Sequence, residues 1–175
     1  MSKRVDFYYD YGSPAAYLAW TQMDRIAADT GATVNRLPVV LGAVFKATGN
    51  SAPITVPLKG RYLFIDLKRW ATHWGVPLTF NPSFPINTIN LMKLAHGVKL
   101  RQPEKLAALD AAVFRAIWVD ALNLNDAAVC SDMLAAAGFP ADEVAALIAD
   151  DEVRAGVRAV TEEAVARGMF GAPTF

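Results

Sequence analysis

The sequence predicts an α/β protein in which a parallel βαβ unit at the N-terminus gives way to a long all-helical stretch. Three observations predict this. Residues 5–37 pass from an apolar, aromatic run through a capped helix to an alternating run, with short links between them. From residue 58 to residue 167, most segments between proline and glycine punctuation carry helical periodicity. Hydrophobic residues make up 54% of the 175, enough to bury a substantial core. The length suits one domain, or a small core with a sizeable insertion.

Residues 5–9 read as a buried first strand, apolar and aromatic with Asp6 inside it. Asp10-Tyr11-Gly12 turns the chain. Ser13-Pro14 opens a helix, because serine is a preferred N-cap and proline suits the first helical position. Leu18, Met23 and Ile26 give that helix an apolar stripe, and Gly31 stops it. Residues 33–37 alternate and form the second strand. Strand, helix and strand on short links make a parallel pair with a crossover helix. Residues 58–74 have helical period. Three prolines make 77–85 a loop or extended segment. Helices are expected over 86–96, 104–122, 126–137, 141–149 and 151–167. Pro103 and Asp126 act as start signals, and Gly97, Gly138 and Gly168 as stops. A further strand is expected to begin at Thr174, with only two residues remaining.

Lys plus Arg and Asp plus Glu each number 17, so the formal net charge is zero. This gives no support to a nucleic-acid partner, which draws on a basic surplus. It leaves room for a small anionic ligand held by a local basic patch. Cys130 is the one cysteine, so no internal disulfide forms and nothing points to an oxidising compartment. Asp6 and Asp10 interrupt the N-terminal stretch where a signal peptide needs apolar residues. No apolar run approaches the ~20 residues of a transmembrane helix. The expectation is a cytoplasmic protein with no membrane partner.

Ser13 follows a strand and caps a helix whose N-terminus favours negative charge. Local spacing alone favours a plain N-cap. No Gly-x-Ser-x-Gly elbow surrounds it, and the only histidines are His73 and His96. Those two lack metal-ligand spacing, so they read as surface or satisfied core residues, and no metal is expected. Cys130 lies in an apolar helical run and reads as packing. Tyr17, Trp20, Tyr62 and Trp70 fit either a core or an aromatic pocket.

Five segments, in order, resemble one family. The start, VDFYYDYGSPAAYLA, resembles the opening of the 2-hydroxychromene-2-carboxylate isomerases and of the kappa-class glutathione transferases. KATGN at 46–50, PLKGRYLFIDLKRWA at 57–71, the GVPLTFNPSFPIN that follows, and the closing MFGAPTF continue the match in register. The resemblance implies a thioredoxin-like βαβ core, residues 1–42 and 151–175, interrupted by an all-helical insertion at 43–150. It also implies further strands after Pro173. The C-terminal strands of the core are therefore expected to be missing from these 175 residues, with one edge of the first strand unpaired.

Where the disulfide-exchanging relatives carry Cys-x-x-Cys, this chain has Ser13-Pro14-Ala15-Ala16, so no thiol is present there for disulfide exchange. The resemblance implies glutathione as a bound thiol cofactor and Ser13 as the catalytic hydrogen-bond donor to its sulfur. Such a device is needed, because a free thiol of pKa about 8.5 is mostly protonated at neutral pH. Asn50 and Lys59 match glutathione-binding positions, and Lys46 matches one near the substrate or the peptide. Lysine suits the carboxylates that glutathione and an aromatic carboxylate substrate would bring. Ala172 and Pro173 are expected to offer backbone groups to an extended peptide beside a cis-proline. Tyr17, Tyr62 and Phe84 are assigned to the substrate pocket. Phe84 stands where the isomerase pattern has a tyrosine, which removes a hydroxyl. The implied activity is cis–trans isomerisation of 2-hydroxychromene-2-carboxylate or a related intermediate of aromatic breakdown, by a homodimer. A general kappa-like glutathione transferase or peroxidase, and a non-catalytic glutathione-binding relative, are the alternatives.

Overall fold

The computed structural model describes residues 3–175. Strand β1 (Arg4–Tyr9), helix α1 (Pro14–Thr30) and strand β2 (Thr33–Pro38) form the expected crossover unit. The two strands are parallel, in register from Arg4 against Thr33 to Tyr9 against Pro38. Helices α2 (Leu41–Thr48), α3 (Pro57–Trp74), α4 (Ile89–Arg101), α5 (Leu106–Trp118), α6 (Ala127–Ala136), α7 (Ala141–Ala149) and α8 (Asp151–Ala166) follow. Helix α8 returns to pack on α4, α2 and β2. Together this is a thioredoxin-like fold rich in helix. No helix among the described residues is long and apolar enough to cross a membrane.

The caps explain α1. Ser13 is its N-cap, Pro14 its first residue, and Gly31 closes it with a left-handed φ of 66°. Alternation along β1 sends Phe7, Tyr9 and then Tyr11 into the main core, with Phe114 and Trp118 of α5. Tyr8 faces the other way, into a smaller cluster with Val39, Val44, Ala164 and Met169.

The structure corrects several boundaries. Helix α4 starts at Ile89 rather than 86 and runs through Gly97 to Arg101. Gly97 is therefore no stop signal. A Cβ there would lie 3.3 Å from Leu147 and Val153, so glycine lets α7 and α8 approach closely. Helix α5 ends at Trp118, and the chain turns at Ala121 with a φ of 53°. Helix α2 was not expected; its eight residues are too few to show a period. Thr174 forms one antiparallel bridge to Tyr8, so the outer edge of β1 is paired at that point.

At the centre of the core, Asp110 of α5 is fully buried. Its Oδ1 accepts hydrogen bonds from the hydroxyls of Tyr9 (2.7 Å) and Tyr11 (2.6 Å). Its Oδ2 has no hydrogen-bond partner among the described residues, and Arg36 Nε lies 3.9 Å from it. Burial pushes the carboxyl from its ordinary 3.8 up to about 6, against the pull of both tyrosines. The folded state thus favours the protonated acid. Its stabilising contribution is complete below the unfolded value and is lost as pH rises through the folded one. Between about pH 4 and about pH 7 the wild type should lose about 2 kcal/mol relative to Asp110→Asn. Urea midpoints across that range measure this, and parallel pH profiles would contradict it.

Candidate functional site

Ser13 sits where β1, the Asp10-Tyr11-Gly12 turn and α1 meet. Its backbone is extended, at φ −99° and ψ 114°, as an N-cap requires. The side chain is almost fully buried. Its Oγ accepts from the Ala16 amide at 3.1 Å and donates to the Ala172 carbonyl at 2.9 Å. An amide can only donate and a carbonyl can only accept, so the destination of the hydroxyl proton is fixed. The Ala172–Pro173 peptide is cis, as the resemblance implied.

Asp10 fastens the surroundings of Ser13. It is buried, and its Oδ1 accepts from Gly12 N (2.9 Å) and from the Thr88 hydroxyl (2.6 Å). Its Oδ2 accepts from Leu41 N at 2.8 Å. Val40 has no side-chain cap to offer α2. Asp10 therefore satisfies one of the free amides of that helix, and Thr161 of α8 takes another, from Val40 N, at 3.1 Å. Burial raises the Asp10 pKa and these hydrogen bonds oppose the rise.

Above Ser13 lies a cleft of about 600 Å³. Helix α2 contributes Leu41 and Phe45 to it, and α3 contributes Lys59 and Phe64. Phe84 lines it from the loop before α4, and Phe170 from the loop after α8. Among the described lining residues Lys59 is the one cation and Asp10 the one anion.

The cleft brings together Ser13, Asn50, Lys59, Phe84 and Ala172. Asn50 Nδ2 donates to the Phe170 carbonyl at 2.8 Å, tying the end of α2 to the C-terminal loop. Pro173 adjoins through its cis peptide. Lys46, in the last turn of α2, is exposed and does not line the cleft. Nor do Tyr17 and Tyr62, whose assignment to the pocket is corrected. Tyr17 is core: its hydroxyl donates to the Pro77 carbonyl at 2.7 Å and its ring packs beside Phe114. Tyr62 is two residues from both Gly60 and Phe64, on the opposite side of α3, and is 62% exposed.

Among the remaining residues, Cys130 is half-buried against the core and His73 is exposed. His96 is half-buried, and its Nδ1 has no partner among the described residues, so it is not a satisfied core histidine. Asp10, Thr88, Phe45, Phe64 and Phe170 were not singled out in the sequence. The one signal available was Asp10-x-Gly12, the spacing at which an aspartate accepts from the amide two residues on.

Comparison with known proteins accords with this fold. Residues 4–175 match the DSBA-like thioredoxin domain. A 2-hydroxychromene-2-carboxylate isomerase of Sphingobium xenophagum is 30% identical over 178 residues, spanning 99% of this chain and 88% of the relative. A glutathione S-transferase kappa 1 of Caenorhabditis elegans is 35% identical over 122 residues, 66% of this chain and 52% of the relative. The solved structure of a 2-hydroxychromene-2-carboxylate isomerase aligns with a TM-score of 0.80 at 27% identity, covering 98% of this chain and 83% of that one. The chain therefore belongs to the DsbA-like thioredoxin family, among the 2-hydroxychromene-2-carboxylate isomerases and their kappa-class glutathione transferase kin.

Proposed function

We propose that the protein is a glutathione-dependent cis–trans isomerase acting on 2-hydroxychromene-2-carboxylate or a related aromatic carboxylate, in the cytoplasm and as a homodimer. One observation carries this reading. The helix start that bears a redox thiol in disulfide-exchanging relatives here bears a buried serine, set against the cis-proline loop under an apolar cleft. The thiol for any thiol chemistry must then come from a ligand. The residues fit glutathione. Among the described residues the Ala172 amide donates no hydrogen bond, which leaves it free for an extended peptide. Lys59 is available to a carboxylate.

Bound glutathione would supply a thiolate that adds reversibly to an unsaturated carbon, allows the former double bond to rotate, and departs unchanged. The protein's share is electrostatic and geometric. The Ser13 hydroxyl and the α1 N-terminus stabilise negative charge at the sulfur. Asn50 holds the Phe170 loop in place over the peptide. Phe64 and Phe84 present apolar faces to an aromatic substrate. Lys46, outside the cleft, would act only at its approach. Leu58, Tyr62 and Ile65 form an exposed apolar stripe along α3, which supports a second copy covering it.

A second reading, a general kappa-like glutathione transferase, is favoured by Phe84, which gives the substrate no hydroxyl. Assaying both reactions with one preparation separates the two. On either reading Lys59→Met should raise KM for glutathione about 5-fold and leave kcat nearly unchanged, because the lost contact is made equally in ground and transition states. An unchanged KM at low salt would remove Lys59 from the binding site.

A further inference from the structure

The Ser13 hydroxyl has a single proton, and that proton is already in use. Oγ accepts from Ala16 N at 3.1 Å with a lone pair, and spends its proton on the Ala172 carbonyl at 2.9 Å. It cannot donate to a ligand sulfur at the same time. Among the described residues the Ala172 carbonyl has Ser13 as its one hydrogen-bond partner. Taking the proton away without replacement strands a half-buried acceptor beside the cis-proline.

We propose that ligand binding exchanges these partners. An amide N–H of the ligand takes the Ala172 carbonyl, and the Ser13 hydroxyl is thereby released to turn onto the ligand sulfur. The inference rests on reading the cleft as a glutathione site. It adds a condition on the ligand: the thiol must come with a peptide N–H placed to reach Ala172. A small thiol lacking that amide meets a serine whose proton stays on Ala172, so its sulfur gains no donor. The exchange needs only rotation about the Cβ–Oγ bond. The Ala16 amide stays bonded to the oxygen throughout, so α1 keeps its cap. Peptide recognition and thiolate stabilisation become one event.

Two ligands test this. Ophthalmate is the glutathione isostere with a methyl group in place of the thiol; it keeps the peptide N–H and forms no thiolate. Calorimetric titration should show ophthalmate binding Ser13→Ala about 3- to 10-fold more tightly than wild type, because no hydroxyl has to leave the Ala172 carbonyl. The second ligand is a glutathione analogue with an ester oxygen in place of the cysteine amide N–H. With wild type, ultraviolet absorbance should report thiolate for glutathione and none for the ester, at saturating concentrations of each. Equal or weaker ophthalmate binding to Ser13→Ala overturns the exchange, as does full thiolate formation by the ester. If glutathione itself neither binds nor forms thiolate, the glutathione reading falls and takes the exchange with it. If glutathione does form thiolate but either test above fails, the exchange alone falls. Should Ser13→Ala not fold, Ser13→Gly serves, since glycine is tolerated at an N-cap.

Discussion

Ser13→Ala is expected to lower kcat/KM by about 100-fold or more while costing about 1–2 kcal/mol of stability. The two effects have different origins. Stability loses an N-cap bond to Ala16 and a bond to the Ala172 carbonyl, both between neutral groups. On the proposed function, activity loses a donor that turns from the Ala172 carbonyl onto a developing anion in an apolar cleft, where charge is poorly screened. Steady-state kinetics beside urea denaturation separates them. A stability loss of this size with activity changed by only about twofold would reduce Ser13 to a helix cap.

Asp10→Ala is expected to be the most damaging change to the architecture of the site, at about 3–5 kcal/mol. It leaves the half-buried amides of Gly12 and Leu41 and the buried hydroxyl of Thr88 without their acceptor. The three donors belong to the turn before Ser13, the head of α2 and the start of α4, so the cleft should loosen with the fold. Asp10→Asn should not restore the wild type. Its carbonyl can still accept from Gly12 and Thr88, but its amide then meets the Leu41 N–H, donor against donor. Urea titrations of the three proteins measure the order wild type, Asn, Ala. Asp10→Ala within about 1 kcal/mol of wild type would mean that these hydrogen bonds contribute little.

Features governed by near neighbours were legible in the sequence. Ser13-Pro14 and Gly31 delimited α1 because capping is a local bargain between adjacent residues. Ser13 itself reads locally as a plain N-cap, and it stood out through the family resemblance, which sets it where the disulfide-exchanging relatives begin Cys-x-x-Cys. Long-range geometry was not legible. Gly97 looks like a stop until α7 and α8 are seen pressed against it. Tyr17, four residues after Ser13, is drawn into the core by Phe114 on α5, nearly a hundred positions away. Asp10 looked like part of a turn, because two of its three donors, Leu41 and Thr88, arrive from distant segments. Phe170 reaches the cleft only because α8 carries the chain back to β1, where Thr174 pairs with Tyr8.

If Ser13 holds a ligand thiolate, as proposed, the ionisation of bound glutathione must depend on its hydroxyl. Glutathione is mixed with wild type and with Ser13→Ala, and ultraviolet thiolate absorbance is followed as a function of pH. In wild type the bound thiol should ionise at least about one pH unit below the roughly 8.5 of a free thiol, and in Ser13→Ala it should titrate close to the free value. Identical titrations in the two proteins, or no thiolate in either at saturating glutathione, would contradict the role assigned to Ser13.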